Sequence, residues 1–218
     1  MKGYPYINLH THKLLKEENV ISVNNQMLQE ASDIPPHLFT AGLHPWYADQ
    51  LSLDVLSLLL DRCAESPDFV AFGETGLDKG CSIPMKMQLD VFDLHLKKAV
   101  KHGKPLILHC VRAWDELIEI AAGNPVIKIL HGYNGSEQLT DRLLQSGFLY
   151  SIGKGILNPI SKIHAAVHLI PLSSMFCETD TSDVPIQEIY KGVSAALKMK
   201  EEDLRGVIYD NYCRIRSS

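Results

Sequence analysis

Two histidines near the start of the chain, in Leu9-His10-Thr11-His12, have a spacing that suits metal binding. In an extended strand, residues two apart point to the same face, so both imidazoles can reach one metal ion from a strand end. Alone, the pair is a weak indication, because two histidines at this spacing often occur by chance. It predicts a metal site only if further ligands join it.

Four more metal-capable side chains follow short apolar runs. They are Glu74 after 69–73, His109 after 105–108, His131 after 126–130 and Asp180 after 175–177. In a parallel barrel the carboxyl ends of the strands converge on one face, where active sites lie. Each residue singly could be a polar residue that ends a strand. Together with the histidine pair they predict one shared site.

Four imidazoles and two carboxylates can hold two divalent ions, with one carboxylate shared and positions left open for water and substrate. Two ions about 3.5 to 4 Å apart can generate hydroxide near neutral pH and stabilise the attacking and leaving oxygens of a displacement. The ligand set therefore predicts hydrolysis. It does not select among zinc, manganese, iron and magnesium.

The elements that must position these ligands alternate between strand and helix. The predicted strands are 4–9, 20–24, 38–42, 69–73, 105–108, 126–130, 148–152 and 175–177. The predicted helices are 51–63, 85–102, 113–121, 136–146, 161–169, 186–197 and 201–209. Near-continuous apolar strands separated by helices are typical of parallel βαβ units. The pattern predicts an α/β fold, a TIM-type (β/α)8 barrel.

The first β/α unit is irregular. Only about ten residues separate the first two predicted strands, too few for a helical crossover and its loops. The second connection, 25–36, is also short. We expect a missing or stunted first helix. Without a linker, repeat or low-complexity stretch, a single barrel domain over 1–218 is the economical hypothesis.

Composition excludes several classes of protein. Hydrophobic residues make up 45% and charged residues 22%, which argues against a disordered, collagen-like or membrane chain. No apolar run is long enough to span a bilayer, and the first residues lack a secretory signal, so we expect a cytoplasmic protein. Five widely spaced cysteines without a C-x-x-C pair suggest reduced thiols. A net charge of −5 gives no global attraction to a polyanion.

The motifs resemble those of the TatD-type metal-dependent deoxyribonucleases, within the amidohydrolase-like barrels, over nearly the whole chain. The matching segments are His10-Thr11-His12, Gly42-Leu43-His44-Pro45, Gly73-Glu74-Thr75-Gly76-Leu77-Asp78, Leu108-His109-Cys110, His131 with Gly135-Ser136, and Glu178-Thr179-Asp180. Their order and their placement on strands are those of the family.

The resemblance implies a role for each ligand. His10 and His12 would bind one metal ion, His109 and His131 the second, and Glu74 would bridge the two. Asp180 would ligate the first ion and orient or deprotonate the attacking water. His44 would lie on the substrate side as a hydrogen-bond donor or acid. A structural His44, bonded to backbone before Trp46, and an Asp78 that supports a ligand or caps a loop remain alternatives.

The chain also departs from the family pattern. Asn8 stands where an acidic residue usually precedes the histidine pair, and Arg112 comes one position later than the usual arginine. Thr181-Ser182-Asp183 replaces the usual Ala-Pro-Tyr, and the long loop that normally follows is missing. Arg112 and Lys154 are candidates for substrate binding. Alternatively, Arg112 pairs with Asp115, Glu116 or Glu119, and Lys154 faces solvent.

Three functions stay open at this point. The first is hydrolysis of a phosphoester, plausibly in DNA with 3'-5' exonuclease character, which the resemblance implies. The second is a related barrel hydrolase acting on a small phosphoester or an amide. The third is an inactive metal-binding barrel. The expected cofactors are two divalent ions (Zn, Mn or Mg), and the expected partner is DNA or a small phosphoester. Neither a membrane nor an obligate protein partner is inferred.

Overall fold

A computed structural model of the chain describes residues 3–14, 16–30 and 33–217. The strands are β1 (Tyr6–Thr11), β2 (Val20–Met27), β3 (Phe39–Gly42), β4 (Phe69–Asp78), β5 (Leu106–Val111), β6 (Lys128–Leu130), β7 (Phe148–Ile152) and β8 (Met175–Cys177). The α-helices are α1 (Leu53–Ala64), α2 (Met85–His102), α3 (Trp114–Ala121), α4 (Glu137–Gln145), α5 (Lys162–Ala166), α6 (Ile186–Leu197) and α7 (Glu201–Arg216). Short 3-10 helices lie at Pro45–Tyr47, Lys154–Leu157, Val167–Leu169 and Leu172–Ser174.

The strands are hydrogen-bonded to one another in chain order, from β1 to β8. The strand pairs β1 with β2, β3 with β4, β4 with β5, and β7 with β8 are parallel. A parallel bridge between Thr11 and Asp180 joins the chain beyond β8 to the end of β1. Parallel strands in sequential order, with helices between most of them, are the pattern of the predicted (β/α)8 class. That fold class is confirmed.

Two strands are longer than the sequence predicts. β4 continues past Gly73 to Asp78, and β5 past Leu108 to Val111, because the two stay paired at Gly76 with His109 and at Asp78 with Val111. The expectation that Glu74 and His109 lie just past strand ends is therefore wrong. Both lie within strands whose pairing continues around them.

The same correction applies to β1, which runs from Tyr6 to Thr11 and so contains His10. Several other bounds agree closely with the expectation. The helices α2 and α6 and the strands β7 and β8 have the predicted limits. The last helix extends to Arg216 instead of ending at Tyr209.

The described part of the first β/α unit contains no helix. Among the described residues between β1 and β2, 12–14 and 16–19, no helix is found, and none is found in 28–30 or 33–38 before β3. The predicted shortened first unit is confirmed over these residues. Elsewhere in the described ranges, no helix is long and apolar enough to cross a bilayer.

The chain divides into two compact units. The terminal unit comprises the described residues up to Asn24 together with Leu130–Ser217, and the middle unit comprises Asn25–Ile129. A single domain over the whole chain stays a prediction.

Each unit has aromatic side chains in its core. In the middle unit the rings of Phe39 and Phe72 both pack on Phe69, with centroids 5.5 and 4.8 Å away. In the terminal unit the buried hydroxyl of Tyr190 accepts from the amide of Ile7 at 3.0 Å and donates to its carbonyl at 3.1 Å. Tyr190 thereby fixes α6 against β1.

Candidate metal sites

The terminal unit brings three metal-capable side chains together. His10, His131 and Asp180 each offer a ligand atom within 4.8 Å of the others. His10 lies fully buried in β1, and its ring centroid is 4.6 Å from that of His131, which directly follows β6. Nε2 of His10 is 3.8 Å from Oδ1 of Asp180. Residues far apart in sequence thus meet where the sequence analysis expected ligands.

His12 contacts the same carboxylate. Its Nε2 lies 3.4 Å from Oδ1 of Asp180, and its ring centroid is 5.1 Å from that of His10. The i, i+2 spacing therefore does bring both imidazoles to one carboxylate. This geometry arises because the strand presents alternate residues on one face.

The backbone of Asp180 is fixed between these two histidines. Its amide donates to the carbonyl of His10 at 3.0 Å, and its carbonyl accepts from the amide of His12 at 3.1 Å. Asp180 has a φ of 52°, in the left-handed region that non-glycine residues rarely adopt. Such residues cluster at functional sites, where the surrounding structure over-determines them.

Asn8 fixes the residue before Asp180. Its side chain donates to Oγ1 of Thr179 and accepts from the amide of Thr179, both at 2.9 Å. Asn8 is 2% exposed, so these bonds are shielded from water. The residue that departs from the family pattern therefore positions the segment that carries Asp180.

The middle unit holds a second group of three, made of His44, Glu74 and His109. Oε1 of Glu74 lies 3.2 Å from Nε2 of His44 and 3.0 Å from Nδ1 of His109. The Glu74 amide donates to Oδ1 of Asn25 at 2.8 Å, which orients the backbone at the ligand. One carboxylate thus lies between two imidazoles.

The hydrogen bonds of His44 identify its tautomer. Nδ1 accepts from the backbone amide of Trp46 at 3.1 Å, so in the neutral ring the proton is on Nε2, which faces Glu74. His44 is then a hydrogen-bond donor at Nε2. The backbone contact expected of a structural His44 is present, and it directs the Nε2 proton toward Glu74.

Asp78 lies behind His109. Its Oδ2 is 3.3 Å from Nε2 of His109 and accepts from the indole of Trp46 at 2.6 Å. Burial acts to raise the pKa of Asp78, but hydrogen bonds from Trp46, the Gly80 amide and His109 outweigh it and lower the pKa. Asp78 therefore stays a carboxylate beside the candidate ligand His109, and such a carboxylate commonly accompanies metal-binding histidines.

Helix α2 supplies two buried side chains that position this group. Gln88 accepts from the amide of Asp78 at 2.7 Å and donates to its carbonyl at 3.0 Å. His95 accepts from the Leu43 amide at Nε2 (3.2 Å), and its Nδ1 lies 2.8 Å from the carbonyl of Val91. Burial lowers the pKa of His95 to about 4, so the ring is neutral and serves as a fixed support.

Two glycines flank Glu74 because side chains do not fit there. Gly73 has a φ of 125° and Gly76 a φ of 140°. A Cβ on Gly76 would lie 2.0 Å from the carbonyl oxygen of His109, and one on Gly73 would lie 2.2 Å from that of Ile107. The glycines let β4 approach β5 closely enough to place Glu74 beside His109.

Two of the candidate substrate residues, Arg112 and Lys154, are exposed, whereas His44 is buried. Lys154 begins the 3-10 helix after β7 and lines a cavity of about 230 Å³ together with Asp180 and Ser182. Arg112 follows β5 with a φ of 56°. Of the three alternative partners expected for Arg112, which are Asp115, Glu116 and Glu119, Glu116 pairs with Lys79 at 2.6 Å.

The negative charge added by Asp183 is compensated locally. Its carboxylate forms an ion pair with Lys13, which lowers the pKa of Asp183. Cys110, the neighbour of His109, is not a competing nucleophile: burial raises the pKa of its thiol to about 12, so it remains protonated.

Both groups suit divalent ions. Each combines imidazole nitrogens with a carboxylate oxygen, the donors that zinc and other first-row divalent metals accept, and the ligand atoms already lie near one another. Sequence analysis missed the supporting residues Asn25, Trp46 and Gln88. No spacing rule connects them to the ligands, because they act through long-range hydrogen bonds.

Comparisons with known proteins agree with this geometry. A family model described as TatD related DNase matches residues 9–217. The uncharacterized metal-dependent hydrolase YjjV of Escherichia coli (strain K12) is 32% identical over 168 residues, 74% of this chain and 64% of that protein. The 3'-5' ssDNA/RNA exonuclease TatD of Erwinia tasmaniensis is 32% identical over 165 residues, 72% of this chain and 63% of that protein.

The fold has a counterpart among solved structures. The crystal structure of the Escherichia coli TatD homologue YjjV matches with a TM-score of 0.81 and 23% identity, over 96% of this chain and 97% of that chain. The sequence matches cover less than two thirds of the length of the two curated relatives.

Proposed function

This chain belongs to the TatD related DNase family, and from that membership we propose that it is a metal-dependent hydrolase that cleaves phosphoester bonds with an activated water. The observation that carries the proposal is the meeting of His10, His131 and Asp180 at ligand distance in the terminal unit. The proposed substrate is a nucleic acid, degraded from its 3' end, since a similar protein is named a 3'-5' ssDNA/RNA exonuclease.

We propose two divalent ions, one held by His10 and Asp180 in the terminal unit and one held by Glu74 and His109 in the middle unit, with His44 outside the ligand set. When bound, such ions supply Lewis-acid stabilisation of negative charge on phosphate oxygens and a more acidic water. In the middle unit His109 would ligate through Nδ1, beside Glu74, while Nε2 faces Asp78. The sharing of Glu74 between both ions, and the pairing of His131 with His109, stay predictions from the family resemblance.

Asp180 would take the proton of the attacking water, and His44 would donate a hydrogen bond to the substrate. Asp180 presents its carboxylate at the rim of the cavity after β8, where it can orient a water and take its proton. His44 carries its one proton on Nε2, where it can donate a hydrogen bond to a phosphate oxygen.

Substrate recognition would be local, because a net charge of −5 does not attract a polyanion as a whole. Lys154, on the wall of the cavity beside Asp180, and the exposed Arg112 are the proposed phosphate contacts. Both contribute through charge, so their effect should weaken as salt is raised.

The test is a cleavage assay with metal-stripped and metal-loaded protein. The substrates are a 5'-labelled single-stranded DNA, the matching RNA, a phosphomonoester and a cyclic amide. We expect stepwise shortening of the oligonucleotide from its 3' end, dependent on Mn²⁺, Mg²⁺ or Zn²⁺ and abolished by chelator. Cleavage of the phosphomonoester or the amide alone would favour a small-molecule hydrolase, and no turnover with two ions bound would favour an inactive barrel.

A further inference from the structure

Glu178 carries a buried carboxylate beside a candidate ligand. Its side chain is fully buried in the terminal unit. Oε1 accepts from the amide of Gly132 at 2.5 Å and lies 3.3 Å from Nδ1 of His131. Oε2 is also buried and has no hydrogen-bond partner among the described residues.

A carboxylate in this position is costly unless positive charge lies nearby. Transfer of an ionised group out of water is unfavourable unless it is paired and hydrogen-bonded, and one backbone amide is a weak compensation. The group next to Glu178 that can acquire positive character is His131, whose ring belongs to the candidate metal group. A cation on the far side of that ring would make its N–H a stronger donor.

We propose that Glu178 is a positioning residue that holds His131 with its proton on Nδ1, so that the Nε2 lone pair is directed to a divalent ion. The inference rests on the proposed function, and it assigns a role to a residue of the Glu178-Thr179-Asp180 segment that is not itself a ligand. A carboxylate that accepts the second N–H of a metal-binding imidazole fixes the ring and raises its basicity.

Hydrogen bonds hold the backbone of Glu178 and of the residue that follows it. Its amide donates to the carbonyl of Ile152 at 3.1 Å, which continues the pairing of β8 with β7. The next residue, Thr179, is held by Asn8 through two hydrogen bonds. The carboxylate is therefore anchored before any ion binds.

The middle unit repeats the arrangement independently. There Asp78 lies 3.3 Å from one ring nitrogen of His109, while the other nitrogen faces the ligand Glu74. His109, within β5, and His131, directly after β6, thus each have a carboxylate beside one ring nitrogen. Glu178 lies beside Nδ1 of His131, as Asp78 lies beside Nε2 of His109.

The first readout is the tautomer of His131 in metal-free protein, measured by ¹⁵N-histidine NMR, with His131→Asn used to assign the signals. We expect the Nδ1–H form in the wild type and in Glu178→Gln, whose amide oxygen still accepts. In Glu178→Leu we expect the Nε2–H form. A His131 whose tautomer is the same in the wild type and in Glu178→Leu overturns the proposal.

The second readout is metal affinity, from calorimetric titration with Mn²⁺ or Zn²⁺. Loss of such a supporting partner typically weakens affinity about 10- to 100-fold, which is the expectation for Glu178→Leu, with a smaller loss in Glu178→Gln. The exposed Glu137→Gln, on α4, is the matched control and should bind like the wild type. If Glu178→Leu does not fold, Glu178→Gln decides: wild-type affinity there overturns the proposal.

The outcome also separates this inference from the proposed function. A wild-type chain that binds metal while the Glu178 variants bind equally well contradicts the role of Glu178 alone. A wild-type chain that binds no ion overturns the proposed function and, with it, the role assigned to Glu178.

Discussion

The backbone amide of His12 donates a hydrogen bond to the carbonyl oxygen of Asp180 at 3.1 Å. With the reverse bond from the Asp180 amide to His10, it ties the chain after β8 to both histidines at the end of β1. The position of Asp180 is therefore set by main-chain contacts that do not depend on its carboxylate. A change of the side chain alone can test its chemistry without moving the backbone.

Replacement of Asp180 by Asn should abolish hydrolysis and leave the fold intact. The amide keeps the size of the side chain but cannot take a proton, so kcat on single-stranded DNA should fall at least about 100-fold. The urea midpoint should stay close to that of the wild type, since both backbone bonds remain. The exposed Asp183→Asn is the control and should retain activity; an Asp180→Asn variant with undiminished turnover would refute the assigned role.

Replacement of Asn8 should show how much its hydrogen bonds to Thr179 contribute. Asn8→Leu leaves the buried amide of Thr179 without an acceptor, which should cost about 1–3 kcal/mol of unfolding free energy and weaken metal binding. Asn8→Asp keeps an oxygen that can accept from both the amide and the hydroxyl of Thr179, so it should lose less. Urea unfolding and metal titration measure both effects. Equal losses in the two variants would contradict this account of Asn8.

Gly76→Ala should be among the most damaging small substitutions in the chain. The new Cβ would lie 2.0 Å from the His109 carbonyl at a φ of 140°, so β4 and β5 would have to separate. We expect a loss on the order of 4 kcal/mol or more, or no folded protein.

The control for this variant is Gly123→Ala. Gly123 also has a positive φ, 72°, but a Cβ there meets nothing within 4 Å, so only the left-handed conformation is penalised. That cost is about 1–2 kcal/mol. Comparable losses in Gly76→Ala and Gly123→Ala would show that the close approach of β4 to β5 is unimportant.

His95 should make stability depend on pH in the acid range. Burial lowers the pKa of His95 from 6.5 to about 4. Between these two pH values His95 is protonated in the unfolded chain and neutral in the folded chain. The stability linked to His95 is fully present above pH 6.5 and is lost as the pH falls toward 4, with a slope of up to about 1.4 kcal/mol per pH unit.

The variant His95→Gln removes this titration and keeps one donor and one acceptor. Its unfolding free energy, measured in urea between pH 7 and pH 4.5, should fall less steeply than that of the wild type. Other titrating groups contribute equally to both proteins, so the difference in slope isolates His95. Parallel curves would contradict a neutral buried His95.

The sequence indicated which side chains could bind metal but little of what positions them. The bounds of α2 follow from its apolar spacing, and the His10-Thr11-His12 pair follows from strand alternation. The extension of β4 to Asp78 could not be read from composition, because Gly73, Gly76 and Asp78 are residue types depleted in strands. They pair with β5 only because the glycines permit close approach.

The contacts that orient the ligands depend on three-dimensional packing. Gln88 reaches Asp78, and His95 reaches Leu43, from positions on α2 that look like ordinary polar residues in the sequence. The carboxylate of Glu178 beside His131 is likewise visible only once β6 and β8 are placed. Local patterns identify residues that can bind metal, whereas the residues that hold them are selected by tertiary contacts.

The most direct test of the central claim is the number of ions bound per chain, measured by mass spectrometry of metal content after dialysis against Mn²⁺ or Zn²⁺. We predict two ions in the wild type, one in Asp180→Ala and one in His109→Ala, because each variant disrupts the group of one unit. A wild-type chain with a single ion or none, or a variant pair that loses no metal, would contradict two metal-binding groups.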